Sequence, residues 1–161
     1  MTVDSDRYRE IVSHFATGVA VITASGPDGP RGLTTNAVTS LALDPLLMLV
    51  CIDNAARTLP AIRHSGRFGI NVLEAGQEDL SRLFASKVPV DAKFAGIGHS
   101  LNHGPPILDG VLAWLACDVR ELLPGGDHTI AIGAVTALHH GHGAPLLWYR
   151  GAYASLPAAS V

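Results

Sequence analysis

Thr34-Thr35-Asn36-Ala37-Val38-Thr39-Ser40 sets hydroxyls and one amide among apolar neighbours and carries no charged residue. Such a stretch is suited to hydrogen-bonding something neutral and flat. It follows the turn residues Pro27-Asp28-Gly29-Pro30 and precedes Asp44-Pro45 and the apolar run Leu46 to Ile52. It therefore reads as one strand of a hairpin-rich sheet, its side chains and backbone amides free to line a ligand edge. Thr and Ser are ordinary strand formers on a half-exposed face. Asn is depleted in strands, so Asn36 is the residue that β-propensity leaves unexplained.

Outward from that stretch the period of the pattern changes several times. Tyr8, Ile11, Val12 and Phe15 fall at helical spacing behind a capping Ser5, which predicts a first helix. Val19 to Thr23 reads as a strand ending at the Gly/Pro turn. Asp53 or Asn54 is placed to cap a short helix carrying Thr58, Leu59 and Ile62, stopped by Gly66. Phe68 to Leu73 is the next strand and Gln77 to Phe84 the next helix. Ala85 to about Pro106, with its glycines and prolines, reads as a long functional loop. Val111 to Leu123 and His128 to Leu138 read as long strands around the turn at Gly125-Gly126, and Pro145 to Tyr149 as the last strand. Several strands with a few helices between them and no repeating βαβ pattern predict a β-barrel or sandwich with helical insertions.

At 161 residues the chain is expected to form one domain, residues 1–161, with a real core. Hydrophobic residues make up 48% and charged residues 16%, a balance that predicts much buried surface and a covered apolar interface, as in a homo-oligomer. A formal charge of −3 leaves no electrostatic footprint for nucleic acid or an anionic membrane surface. Cys51 and Cys117 are far apart, with neither metal-type nor redox-type spacing, and read as reduced residues of a cytoplasmic protein. Asp4, Asp6 and Glu10 stand where a signal peptide would be basic and then apolar, and Leu46 to Ile52 is far short of a membrane span.

The chain carries no Gly-x-Ser-x-Gly elbow, no phosphate-cradling Gly-rich loop before a helix and no closely spaced carboxylate pair, which lowers hydrolysis and phosphoryl transfer. His139-His140-Gly141-His142 reads as a solvated hairpin tip, because adjacent strand histidines point to opposite faces; no metal is expected. Arg57 and Thr58 open a helix, where unpaired amides and the helix dipole favour an anion, and Ser86-Lys87 follows another helix. An anion grip beside a neutral hydrogen-bonding strand is what flavin mononucleotide requires.

The set Phe15-Ala16-Thr17-Gly18-Val19, Gly32-Leu33-Thr34-Thr35-Asn36-Ala37 with Ser40, Asp44-Pro45, Phe68 to Leu73, Phe84-Ala85, Gly126-Asp127-His128 and Tyr149-Arg150-Gly151-Ala152-Tyr153 resembles the short-chain flavin reductase family, in order over nearly the whole chain. The resemblance implies a mainly β fold, a split β-barrel of Greek-key, FMN-binding type with a few short helical insertions, assembled as a homodimer. It implies an NAD(P)H:flavin oxidoreductase that uses NADH or NADPH to reduce FMN or FAD for a partner flavin-dependent monooxygenase. It places Gly32, Thr34, Thr35, Asn36, Ala37, Ser40, Cys51, Ile52, Asp53, Arg57, Thr58 and Tyr149 on the flavin, Ser86 and Lys87 on its phosphate, and His128 beside the nicotinamide as the catalytic residue. One departure is Ala55-Ala56, where members of the family often carry Ser, so weak flavin retention is expected.

The missing catalytic triad agrees with that chemistry, since holding two rings at roughly 3 to 3.5 Å is the protein's main task. Read without the resemblance, His128 is a turn histidine beside Asp127. Two other readings stay open: a flavin-dependent oxidase or F420-type oxidoreductase on the same barrel, and a non-enzymatic flavin- or haem-binding redox protein.

Overall fold

The computed structural model describes residues 3–156, the side chains of Val90 and Asp91 excepted. In chain order its elements are α1 (Ser5–Val12), β1 (Thr17–Gly18), β2 (Ala20–Gly26), β3 (Gly29–Thr35), β4 (Val38–Leu43), β5 (Leu46–Asp53), α2 (Thr58–Ser65) and β6 (Arg67–Val72). There follow α3 (Glu78–Ala85), α4 (Val90–Phe94), β7 (His99–Ser100), β8 (Ile107–Leu108), β9 (Ala113–Gly125), β10 (His128–His140), β11 (Leu146–Tyr149) and β12 (Ala152–Ser155).

Seven strands form one sheet in the order β3-β2-β6-β9-β10-β5-β4, every pairing antiparallel. Its two edges, β3 and β4, are consecutive in sequence and joined by Asn36 and Ala37 alone. Two residues bridge about 10 Å at full extension, whereas six inter-strand spacings laid flat would cover roughly 29 Å. The sheet therefore curls until its edges nearly meet, giving a barrel split at the β3–β4 seam. The Cys51 amide donates to the Ala37 carbonyl at 3.0 Å, which extends the β4–β5 pairing up to this link.

That closure corrects the reading of residues 34–40 as one strand. The stretch breaks at Asn36-Ala37, both exposed, and the Ala37 amide donates to Thr35 Oγ1 at 3.0 Å. Asn36 sits in a bend, where asparagine is favoured, and not in a strand, where it is not. Three further corrections have local causes. Asp4, not Ser5, caps α1: its backbone is still extended and its carboxylate reaches the Asp6 and Arg7 amides. Asp53 and Asn54 do not cap α2, because Asp53 Oδ1 is taken by the Ala55 amide at 2.7 Å and Asn54 Oδ1 by the Thr129 hydroxyl, so a turn intervenes before the helix starts at Thr58. The segment from Ala85 to Pro106 is not a featureless loop, since it holds α4 and β7. Gly66 does end α2, in the left-handed conformation at φ +65°.

Alternation along each strand sends residues to two sides of the sheet. Ile22, Ala24, Val50, Ile52, Phe68 and Ile70 fill the barrel together with Leu59 and Ile62 of α2. Val21 and Leu73 face the other way, onto Phe84 of α3, Phe94 of α4 and Leu146. Asn71, fully buried, crosses this packing with a complete set of partners: Nδ2 donates to the Val21 carbonyl and Thr23 Oγ1, and Oδ1 accepts from the Leu108 amide at 2.8 Å. Thr23 in turn donates to the Pro106 carbonyl. This buried network fastens the segment around β8 onto the barrel. Asn71→Leu keeps the branching and the number of side-chain heavy atoms but strands the Leu108 amide and the Val21 carbonyl. It should lower stability by about 2 to 4 kcal/mol in urea unfolding, since each abandoned buried group costs about 1 to 3 kcal/mol.

Candidate active site

Four cationic side chains converge on one cavity. Arg31 and Gly32 to Thr34 come from β3, Asp53 from the end of β5, Ala55 to Thr58 from the turn into α2, Phe84 to Val88 from the end of α3, and Lys93 from α4. They enclose about 540 Å³ at the barrel seam. Arg31, Arg57, Lys87 and Lys93 line it with the single carboxylate of Asp53, in a chain whose formal charge is −3; Arg31 is already held by the Gly29 and Pro30 carbonyls and lies 4.0 Å from Asp28. Arg57 occupies the N-cap of α2 with no side-chain cap bond; Leu59 donates its amide to the Ala56 carbonyl at 3.1 Å and Pro60 has none, which leaves the Thr58 amide and the positive end of the helix dipole toward the cavity. Thr58, 2% exposed, forms the floor. Gly32 makes the wall possible, because a Cβ there would lie 2.6 Å from the Phe84 ring. Burial first, and then the charge of Arg57, hold the Lys93 ammonium below the usual lysine range.

Thr34 and Ala85 also line a smaller cavity of about 170 Å³, with Thr35, Asn36, Ser81, Trp148 and Tyr153. The two spaces thus lie side by side, with Thr34 and Ala85 in the walls of both: a neutral wall with aromatic rings at one end, a cationic chamber at the other. Tyr153 is fixed by its hydroxyl on Ser81 Oγ at 2.8 Å, by Trp148 edge-on at 4.9 Å and by the Arg82 guanidinium 4.7 Å above its ring. Thr34 donates its hydroxyl to the Ser81 carbonyl at 2.7 Å, which leaves its oxygen to act as an acceptor.

Of the residues singled out from sequence, Gly32, Thr34, Asp53, Arg57, Thr58, Ser86 and Lys87 line the cationic cavity, and Thr35 and Asn36 join Thr34 in the smaller one. Ala37 lies beyond the bend, bonded to Cys51, and Ser40 is exposed on β4. The Ile52 side chain is wholly in the core, so only its backbone is available to a ligand. Tyr149 faces away. Trp148 and Tyr153 are cross-strand partners on one face, whereas Tyr149, one residue on, packs edge-to-face with His14.

His128 opens β10 directly across from Asp53 of β5, next to the cavity but on its far side. With Asn54, Leu59, Pro60, Arg63, Leu123 and Thr129 it lines a separate cleft of about 420 Å³ between α2 and the β9–β10 hairpin. Its Nδ1 lies 2.7 Å from Asp127 Oδ1. Gly126, at φ +72°, supplies the first central residue of the tight turn that presents both. Cys117 has no part in this: its buried thiol is pushed up to about 12, by burial and then by Asp118, while Cys51, half-buried on β5, lines none of these spaces with its side chain. Among the described residues, no group of three or more His, Cys, Asp or Glu side chains is arranged to hold a metal.

A family model for the flavin reductase like domain matches residues 12–157. The chain belongs to that family. It is 41% identical over 93% of its length to a probable flavin reductase of Rhizobium meliloti, of which it spans only 48%. It is 39% identical to the flavin-dependent monooxygenase reductase subunit HsaB of Mycobacterium tuberculosis, over 96% of this chain and 83% of that one. Among solved structures, the NADH:FAD oxidoreductase SgcE6 of Streptomyces globisporus, in complex with NAD and FAD fragments, superposes with a TM-score of 0.90 at 32% identity, covering 100% of this chain and 99% of that one.

In this flavin reductase-like chain, sequence reasoning missed Arg31, Phe84, Lys93, Trp148 and Tyr153 as cavity residues. Arg150-Gly151 was the available signal for the last two. Both residues take positive φ, a two-residue hairpin turn, and β12 follows it to bring Tyr153 back beside Trp148. The donors present suit a phosphorylated flavin: cations and the start of a helix at one end, hydroxyls and an amide at the other. At the hairpin, the hydrogen bond and charge of His128 hold the Asp127 carboxyl below its usual range. In a carboxyl-detected NMR titration Asp127 should titrate below ordinary aspartates, and His128→Ala should return it to the normal range; an unchanged midpoint would dissolve the pair.

Proposed function

We propose that the chain is an NAD(P)H-dependent flavin reductase that binds FMN or FAD and supplies reduced flavin to a partner flavin-dependent monooxygenase. The observation that carries this reading is the adjacency, at Thr34 and Ala85, of a cationic chamber and a neutral hydrogen-bonding wall. When bound, the flavin supplies the acceptor for a hydride from the reduced nicotinamide. The residues present serve binding and orientation. Arg57, Thr58, Ser86 and Lys87 grip the phosphate, and Thr35 and Asn36 meet the polar ring edge. His128 orients the nicotinamide from the hairpin.

The reading takes the whole chain as one such domain, working as a homodimer in the cytoplasm, where nicotinamide reductant is at hand. Support for a second copy comes from α1, which buries none of its residues, from Phe15 shortly after it, 72% exposed, and from Leu41 and Leu43 of β4 and Leu46 of β5, all exposed.

NADH or NADPH oxidation, followed by absorbance, should proceed only when flavin is added. Turnover that is independent of flavin would contradict the reading. His128→Ala should lower kcat/KM for the nicotinamide about five- to a hundredfold, chiefly through KM, with flavin affinity unchanged. A loss of flavin affinity instead would place His128 on the flavin. Sedimentation velocity at micromolar concentration should give a dimer, and an active monomer would exclude the assembly.

A further inference from the structure

Lys87 and Lys93 both line the cationic cavity, but Lys87 is exposed whereas Lys93 is only 9% exposed. Burying an ammonium is costly unless an acceptor or an anion meets it. What meets Lys93 is one neutral group, the Phe84 carbonyl in the last turn of α3, at 2.7 Å. An ammonium has three N–H donors, and that contact uses one. No carboxylate among the described side chains forms an ion pair with it. The charged groups around the same cavity are Arg31 from β3, Arg57 at the start of α2, Lys87 after α3 and the lone Asp53 from β5. On the side of β7, His99 lies against the neighbouring Phe94 ring. A buried cation beside further cations, with donors to spare and a cavity in front of it, is a site short of an anion.

We propose that Lys93 is a phosphate-binding residue of this cavity, acting with Arg57 on the phosphate ester of the ligand. The proposal rests on the flavin reading above and adds to it a proton. With the cavity empty, burial and the Arg57 charge disfavour the ammonium form of Lys93. A phosphate dianion reverses both effects, so the pKa with ligand bound is the higher of the two. Affinity is then complete below the empty-site pKa and declines as pH rises through the bound-state one, and binding in that window draws a proton from solution.

Isothermal titration of the wild-type protein with FMN and with riboflavin tests this. The titrations are run between about pH 8.5 and about pH 9.5, in two buffers of different ionisation enthalpy. That range is well above the second ionisation of a phosphate monoester at roughly 6. Riboflavin shares the ring but lacks the phosphate. The proposal expects proton uptake with FMN beyond that with riboflavin. Lys93→Met should abolish the excess and weaken FMN about ten- to a hundredfold, as Arg57→Ala should, with riboflavin affinity within about twofold of wild type. Equal losses of FMN and riboflavin in Lys93→Met would leave Lys93 only the role of tying α4 to α3 and would overturn the proposal. Wild-type protein that binds neither flavin would defeat the flavin reading itself, and the proposal with it.

Discussion

Everything in this molecule depends on the brevity of the link between the two edges of its main sheet. Asn36 and Ala37 are all that separates β3 from β4, yet five strands lie between those edges in the sheet. Only a curled sheet satisfies both facts, and curling has a chemical result. Gly32 and Thr34 on one edge strand come to line the same cavity as Asp53, the last residue of a strand near the opposite edge. The turn after Asp53 then delivers the open start of α2 to that place. A longer link would allow a flatter sheet and would scatter these groups.

Charge distribution reinforces the geometry. A chain of net charge −3 collects four cations around one chamber, and the single acid there, Asp53, is already held by the Ala55 amide. Like charges so placed repel, and burial of Lys93 adds to the cost, so the arrangement is favourable only with an anion in it. The neutral end has the opposite character. There Tyr153, Trp148 and Ser81 hold one another in place, and Thr34 is oriented by the Ser81 carbonyl. Preorganised walls of this kind let binding order the ligand and not the protein.

The long regular strands were legible in the sequence because alternation and the Gly-rich turns around β9 and β10 are strong local signals. The α2 stop at Gly66 was legible for the same reason. The break at Asn36-Ala37 was not read, although the misfit of asparagine in a strand was its trace. Its cause is closure of the whole sheet, which no local pattern encodes. The chamber was half legible. Arg57, Thr58, Ser86 and Lys87 stand at helix ends, where anion sites are expected. Lys93 lies in a stretch whose glycines and prolines read as a loop, and its importance arises from burial against Phe84. Tyr149 and Tyr153 show the same limit on a smaller scale. Both are strand tyrosines, but the register across the Arg150-Gly151 turn sends only Tyr153 toward the cavity.

The central claim is that the seam chamber is where the flavin phosphate resides. A crystal structure of the protein with FMN tests it most directly. The expected result is the phosphate at the start of α2, within hydrogen-bonding distance of Arg57 and the Thr58 amide, with the ring running past Thr34 toward Tyr153. Flavin lodged instead in the cleft between α2 and the β9–β10 hairpin, against Arg63 and Leu123, would contradict it.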